Sequence, residues 1–220
     1  MNSLKLKALS CNRVNTSSRA HLKTAPSQSE FPKLTWNDFQ AKPNPESKFY
    51  AYSYWKIVYS YKVTISGGRA TIAAQAKCVF EKDRSWVKEE RKSQELLEHE
   101  QGHYYIGCLC AMTFKKRVKS TTFSKDSYGI ELKKLFKDTL HEFVQLEKLY
   151  DEETCHFKNK EQQKSWDKSI GLKIEDLRIF WWPEACISEN FKENLKNVEN
   201  KEKSEKSESL NKIPSITCVA

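Results

Sequence analysis

The order of strand-like and helix-like segments most constrains the fold of this chain. Residues 49–81 are dense in Tyr, Val, Ile, Thr and Phe, which favour strands. Gly67-Gly68 separates two such runs in the manner of a tight hairpin, and we expect an antiparallel sheet of at least three strands within residues 49–81. Helical periodicity begins only after these strands. Strands followed by helices, rather than alternating with them, indicate an α+β fold.

Two long segments after the strands space their apolar side chains by three and four residues, which predicts helices. The first should begin after Ser93, a residue type that caps helices, and extend to about Lys119. The second is predicted over residues 126–150. The sequence after it should form a loop and then a short helix that carries Trp166. We expect the two long helices to pack on the sheet and on each other, because their apolar faces need partners.

Composition divides the chain into three parts. Residues 1–30 are rich in Ser, Thr, Asn and Lys without a period and are predicted to be flexible. Residues 31–170 form the predicted folded domain. Residues 171–220 form a C-terminal extension that is predicted to be largely disordered from about residue 188, where Lys, Glu, Ser and Asn dominate. The length of 220 residues fits one domain with tails.

Charge and cysteine usage exclude several classes of protein. The net charge is +9, but acidic and basic side chains are mixed along the chain, which favours a solvated surface over nucleic-acid binding. No apolar run approaches the roughly 18 residues of a membrane span, and the N-terminus lacks the apolar core of a secretory signal. Seven scattered cysteines without a CxxC pair indicate reduced thiols. We therefore expect a cytoplasmic monomer that binds no nucleic acid.

The stretch LLEHEQGHYYIGC, residues 96–108, carries the strongest chemical pattern. His99 and His103 are four residues apart, so on a helix both imidazoles lie on one face and can bind one Zn²⁺ ion. Glu100 is then predicted to be the general base that takes a proton from the zinc-activated water and delivers it to the leaving amine. The alternative is coincidence, with two surface histidines on an ordinary helix.

Two glycines inside the same predicted helix support the metal interpretation. Gly102 and Gly107 occupy interior positions, where glycine costs about 1 kcal/mol relative to alanine. We predict that another element approaches this face of the helix closely.

A catalytic zinc ion takes three protein ligands, so the two histidines need a partner. The metzincin extension is absent, because Ile106 and Leu109 stand where its Gly and His would fall. The downstream candidates are His141, Glu142, Glu147, Asp151, Glu152, Glu153 and His156. Most of these acids are expected to be surface charges. For His156 the residues alone leave two interpretations open, a metal ligand and an exposed loop histidine.

Five segments of the chain occur in the order of a known family. They are LTWNDF (34–39), YAYSYWKIVYSYKV (50–63), SWV (85–87), LLEHEQGHYYIG (96–107) and YDEETCHFKNKEQQKSW (150–166). Over about residues 31–170 the chain resembles the bacterial zinc-dependent proteases catalogued as domain of unknown function 922, whose signature is LL-x-HEQGHFDI-x-E followed by YD-x-ET-x-H. Two positions depart from it: Tyr105 stands where the family usually has Asp, and Cys108 where it usually has Glu.

The resemblance implies a small zincin-like domain, with an antiparallel sheet followed by a metal-binding helix and a second long helix. It also implies Zn²⁺ as cofactor, His156 as third ligand beside His99 and His103, and a peptide or protein substrate. Members are often exported, which leaves the location open. Two other functions stay open: a zinc amidase acting on cell-wall or small amide substrates, and a zinc-bearing binding module without turnover. Tyr150 could stabilise an oxyanion or simply pack beside the ligands.

Overall fold

A computed structural model of the chain describes residues 31–181. The predicted flexible segment 1–30 and the part of the C-terminal extension from residue 182 lie outside the described residues. The described part is a mixed α+β structure with three α-helices: α1 (Gln94–Ser120), α2 (Tyr128–Thr154) and α3 (Lys160–Leu177). No helix in this part of the chain is both long and apolar enough to cross a bilayer.

The strands form two small antiparallel sheets in the described residues. They are β1 (Ala51–Tyr52), β2 (Trp55–Ser66), β3 (Arg69–Phe80), β4 (Trp86–Val87) and β5 (Phe123–Ser124). The long β2–β3 hairpin turns at the two predicted glycines, which both have positive φ. β5 adds to the start of β3, while β1 pairs only with β4.

The prediction of at least three strands in one sheet within residues 49–81 was therefore wrong. β2 and β3 lie there, but the third strand of their sheet is β5, which follows α1. The chain leaves the extended path between β1 and β2, at Ser53 and Tyr54. The Tyr54 backbone N–H donates to Ser85 Oγ at 2.9 Å, and the Ser53 hydroxyl donates to Glu100 on α1. These contacts separate β1 from the hairpin and place it beside α1.

The helix boundaries follow the sequence signals in α1 and depart from them in α2. The predicted N-cap is confirmed, because Ser93 Oγ accepts from the Leu96 backbone N–H at 3.1 Å. α2 continues to Thr154, four residues into the predicted loop, and ends at Cys155, which has φ +50°. Its last turn buries Asp151 and Thr154, and Asp151 faces His99 and His103 of α1. α3 has 18 residues and continues beyond the predicted domain boundary at residue 170.

α1 is the central element of the fold. One side packs on the hairpin, where a Cβ on Gly107 would lie 2.7 Å from both Cys78 Sγ and Trp55 Cδ2. α2 lies antiparallel beside it, since Arg117 near the end of α1 bonds Thr139 while the start of α1 meets the end of α2. The predicted packing of the metal-motif helix on the sheet and on α2 is confirmed.

Candidate metal centre

His99 and His103 lie on successive turns of α1 and face the end of α2. Both side chains are 0% exposed, and their ring centroids are 4.9 Å apart. The interpretation of the motif as two surface histidines is therefore wrong. Burial of two imidazoles side by side requires polar partners.

A single carboxylate oxygen of α2 faces three imidazoles. Asp151 Oδ1 lies 3.2 Å from His99 Nε2, 3.0 Å from His103 Nε2 and 3.5 Å from His156 Nδ1. The potential ligand atoms of His99, Asp151 and His156 all lie within 4.8 Å of one another. The fold thus brings the three histidines predicted as ligands around one buried acid.

The Nδ1 atom of each α1 imidazole, on the side away from Asp151, faces an oxygen atom of another helix. His99 Nδ1 lies 3.1 Å from Gln163 Oε1, and His103 Nδ1 lies 3.4 Å from Glu147 Oε1. An N–H on His99 Nδ1 that points at Gln163 Oε1 leaves the His99 Nε2 lone pair directed at Asp151. Histidines that bind metals are oriented in this way.

The orientation of the Gln163 amide follows from its other contacts. Its Nε2 donates to the Tyr150 hydroxyl at 2.7 Å and to Asp167 Oδ1 at 2.9 Å. These two hydrogen bonds engage both hydrogens of the amide nitrogen, so Oε1 must be the atom that faces His99. α3 therefore fixes the tautomer of a histidine on α1.

Glu100 is fully buried on the side of α1 next to β1. Its Oε2 accepts a short hydrogen bond of 2.5 Å from Ser53 Oγ, and its Oε1 has no hydrogen-bond partner among the described residues. Burial raises the pKa of Glu100, against the lowering effect of His103 and His99. One oxygen is thus anchored, and the other is available to accept a proton.

Asp151 is anionic in this arrangement. Burial by itself would raise its pKa, but His103 and His99 in their protonated forms more than offset that effect and keep the pKa of Asp151 well below its usual range, and a bound cation would supply the same positive charge beside neutral imidazoles. The centre therefore combines one firmly negative oxygen with several nitrogen donors, a donor set suited to a divalent cation.

Tyr150 has a structural place in the centre. Its ring stacks on the His99 ring at 4.7 Å with an interplanar angle of 13°, and its hydroxyl donates to the His99 carbonyl oxygen at 3.1 Å. The Tyr150 hydroxyl lies where a side chain at position 102 would project, because a Cβ on Gly102 would be 2.2 Å away. The predicted close approach to the glycine face is thus confirmed, and the arrangement favours packing over an oxyanion role for Tyr150.

His156 differs from the two α1 histidines. It lies just after α2, in a turn where Cys155, His156 and Phe157 have φ values of 50°, 51° and 69°. Consecutive left-handed residues other than glycine are unfavourable. The His156 side chain is 42% exposed and packs edge-on against Phe49. A small cavity of about 40 Å³ adjoins it.

The other candidate ligands divide into two groups. His141, Glu142, Glu152 and Glu153 are exposed, so the expectation that most of the acids are surface charges is confirmed. Glu147 and Asp151 are the buried exceptions.

Sequence reasoning missed Ser53 and Gln163. Ser53 is a small polar residue inside an aromatic run, and this contrast could have marked it as a candidate site residue. Nothing in the sequence around Gln163 distinguishes it from the other glutamines. The two positions that depart from the family signature face elsewhere. Tyr105 packs on Phe31, and Cys108 is buried beside Cys78.

No family model, curated protein or solved structure matches this chain at a significant level. The site itself therefore carries the functional argument.

Proposed function

We propose that this chain is a zinc-dependent peptidase of zincin-like fold, related to the family that its motifs resemble. His99, His103 and His156 hold the metal, and Glu100 is the general base that acts on a peptide or protein substrate. The observation that carries the proposal is the pairing of two inward-facing imidazoles with a buried glutamate that has one unbonded oxygen.

The residues fit a zinc ion on three counts. The two α1 imidazoles present Nε2 on the same side, which is the way an HExxH helix binds zinc. His99 Nδ1 meets Gln163 Oε1, which orients that ring, and His103 Nδ1 faces Glu147 Oε1 at 3.4 Å. Asp151 supplies a buried negative charge that a cation would balance.

A zinc ion would polarise the substrate carbonyl and lower the pKa of the attacking water to about 7. Glu100 would accept the proton on Oε1 while Ser53 holds Oε2 in place. The proton then passes from Glu100 to the departing amine nitrogen, so that the same carboxylate acts first as base and then as acid. Its raised pKa suits this double use.

The extent of burial favours one alternative, a zinc-bearing binding module without turnover. His99, Glu100 and His103 are each 0% exposed, and the cavity beside His156 has room for only a few water molecules. A peptidase with this centre must open to admit its substrate, whereas a binding module need not.

Turnover separates these functions. The zinc-loaded full chain is assayed on casein and on a simple N-acyl amide, with Glu100→Gln as the comparison and zinc content measured for both proteins. We expect casein cleavage by the wild type, and loss of nearly all of it in Glu100→Gln with zinc retained. Cleavage of the amide alone would support the amidase, and full zinc occupancy without hydrolysis would support the binding module.

A further inference from the structure

Asp151 lies where a ligand of the proposed zinc ion would lie. We propose that Asp151, His99 and His103 are the permanent metal ligands and that His156 is an exchangeable fourth ligand, whose departure opens the coordination position used by substrate. The inference rests on the proposed function and adds to it a residue and a gating step.

The distances from Asp151 match three edges of a tetrahedral site. With metal–ligand bonds of about 2.0–2.1 Å, neighbouring ligand atoms of a tetrahedron are about 3.3–3.4 Å apart. Asp151 Oδ1 lies 3.0–3.5 Å from one nitrogen of each of His99, His103 and His156. A shared metal ion would require this spacing between Asp151 Oδ1 and each imidazole nitrogen, and the potential ligand atoms of His99, Asp151 and His156 also lie within 4.8 Å of one another.

Hydrogen bonding alone does not account for this cluster. One carboxylate oxygen has two lone pairs, yet three imidazole nitrogens face Asp151 Oδ1. A neutral His99 that donates from Nδ1 to Gln163 presents a lone pair from Nε2, so two acceptors face each other at 3.2 Å. A cation between them would turn this repulsion into coordination.

The four ligands differ in how firmly the fold holds them. His99 and His103 are fully buried on α1, and the Asp151 side chain on α2 is only 9% exposed. His156 has a 42% exposed side chain and lies outside any helix, in the left-handed turn of residues 155–157. His156 is therefore the ligand that can leave with the smallest loss of packing.

Departure of His156 would change the type of site. Zinc sites with four protein ligands are closed and structural, whereas catalytic sites have three protein ligands and an open position. The turn that carries His156 and Phe157 borders the small cavity together with Phe49. Movement of this turn would enlarge the cavity and expose the metal on the same side.

The coordination can be tested without substrate. The full-length chain is loaded with Co²⁺ in place of zinc, and its visible spectrum is recorded with and without azide, a small anion that binds an open position. Cobalt affinity is measured by competition with a chromophoric chelator. The variants are Asp151→Asn and His156→Ala, and Glu152→Gln is the control because Glu152 is the exposed neighbour of Asp151. Circular dichroism of the metal-free proteins checks folding.

We expect the wild type and Glu152→Gln to give a four-coordinate spectrum that azide leaves unchanged. Asp151→Asn should lose more than about 100-fold in affinity, the upper end of what loss of an orienting partner costs. His156→Ala should retain cobalt and respond to azide. If Asp151→Asn does not fold, Asp151→Cys replaces it, and coordination at position 151 would then give a thiolate-to-cobalt charge-transfer band.

Three results would overturn the inference. They are control-like affinity in Asp151→Asn (or no charge-transfer band in Asp151→Cys), complete loss of cobalt binding in His156→Ala, and an azide response in the wild type as large as in His156→Ala. None of these concerns hydrolysis, so the proposed peptidase activity can fail while the coordination scheme stands. The coordination scheme can likewise fail while the proposed peptidase activity stands.

Discussion

Gly102 of α1 lies against Tyr150 of α2 so closely that a Cβ at position 102 would be 2.2 Å from the Tyr150 hydroxyl oxygen and 2.7 Å from Cζ. The same hydroxyl bonds the His99 carbonyl oxygen, so this contact sets the distance between the helix that carries the motif histidines and the helix that carries Asp151. A glycine that weakens an isolated helix thus determines the geometry of the centre.

Gly102→Ala should destabilise the protein although alanine is the better helix former. Tyr150 is fully buried and cannot move without breaking its hydrogen bonds, so we expect a loss of about 1–3 kcal/mol in the free energy of unfolding, the usual cost of overpacking. Urea denaturation measures this loss.

The matched control is Gly129→Ala near the start of α2, where a Cβ would meet nothing within 4 Å. That substitution should stabilise the protein by up to about 1 kcal/mol through helix propensity. Equal stability of the two alanine variants would show that α2 gives way without cost and that the contact does not set the helix spacing.

Gln163→Met should weaken zinc binding without removing a ligand. The substitution keeps the length of the side chain but deletes the oxygen that faces His99 Nδ1. We expect zinc affinity to fall by about 10–100-fold, the usual effect of losing a partner that orients a ligating histidine. Competition with a chelator measures it.

Gln162→Met is the control for this change, since Gln162 is the exposed neighbour on α3. Its zinc affinity should equal that of the wild type. If both variants bind zinc like the wild type, the contact between α3 and His99 plays no part in metal binding.

Lys115 should make the stability of the protein depend on pH in the alkaline range. Burial lowers the pKa of Lys115 to about 8, below the roughly 10.4 of an unfolded lysine. Between these values the unfolded chain binds more protons than the folded one, so the contribution of Lys115 to stability rises with pH by up to about 3 kcal/mol. Its burial cost is fully present below pH 8.

Comparison with Lys115→Met isolates this contribution. The variant should gain most over the wild type at pH 7, and the advantage should shrink towards pH 10.5 in urea titrations. Lys116→Met, at the exposed neighbour, should show no such trend. An advantage that is constant with pH would mean that Lys115 keeps its proton in the folded state.

Local signals in the sequence predicted α1 and the shared face of its two histidines well. The Ser93 cap, the spacing of His99 and His103, and the two interior glycines each act within one or two helical turns, so the residues alone reveal them. The hairpin glycines are equally local, since their positive φ values follow from the turn they form.

The position of Asp151 could not be predicted from local pattern, because its surroundings come from α1, which lies far away in sequence. A partial signal was present, since Glu147, Asp151 and Thr154 continue the three- and four-residue spacing of the buried face of α2. Polar residues in a core-facing register mark a buried polar site rather than the end of the helix. The pairing of β1 with β4 likewise depends on contacts of Ser53 and Ser85 far apart in sequence.

Ser53→Ala should shift the pH dependence of the proposed hydrolysis. The Ser53 hydroxyl donates to Glu100 Oε2 and so favours the ionised carboxylate, while burial raises the pKa of Glu100. Without this donor the pKa of Glu100 should rise further, because a hydrogen bond to the charged form of a carboxyl favours that form. A base with a higher pKa is ionised only at higher pH, so the acid limb of the kcat/KM profile should move to higher pH. Zinc content should be unchanged, because Ser53 contacts no proposed ligand. An unmoved acid limb with wild-type zinc content would show that Glu100 is not the group whose ionisation limits the reaction.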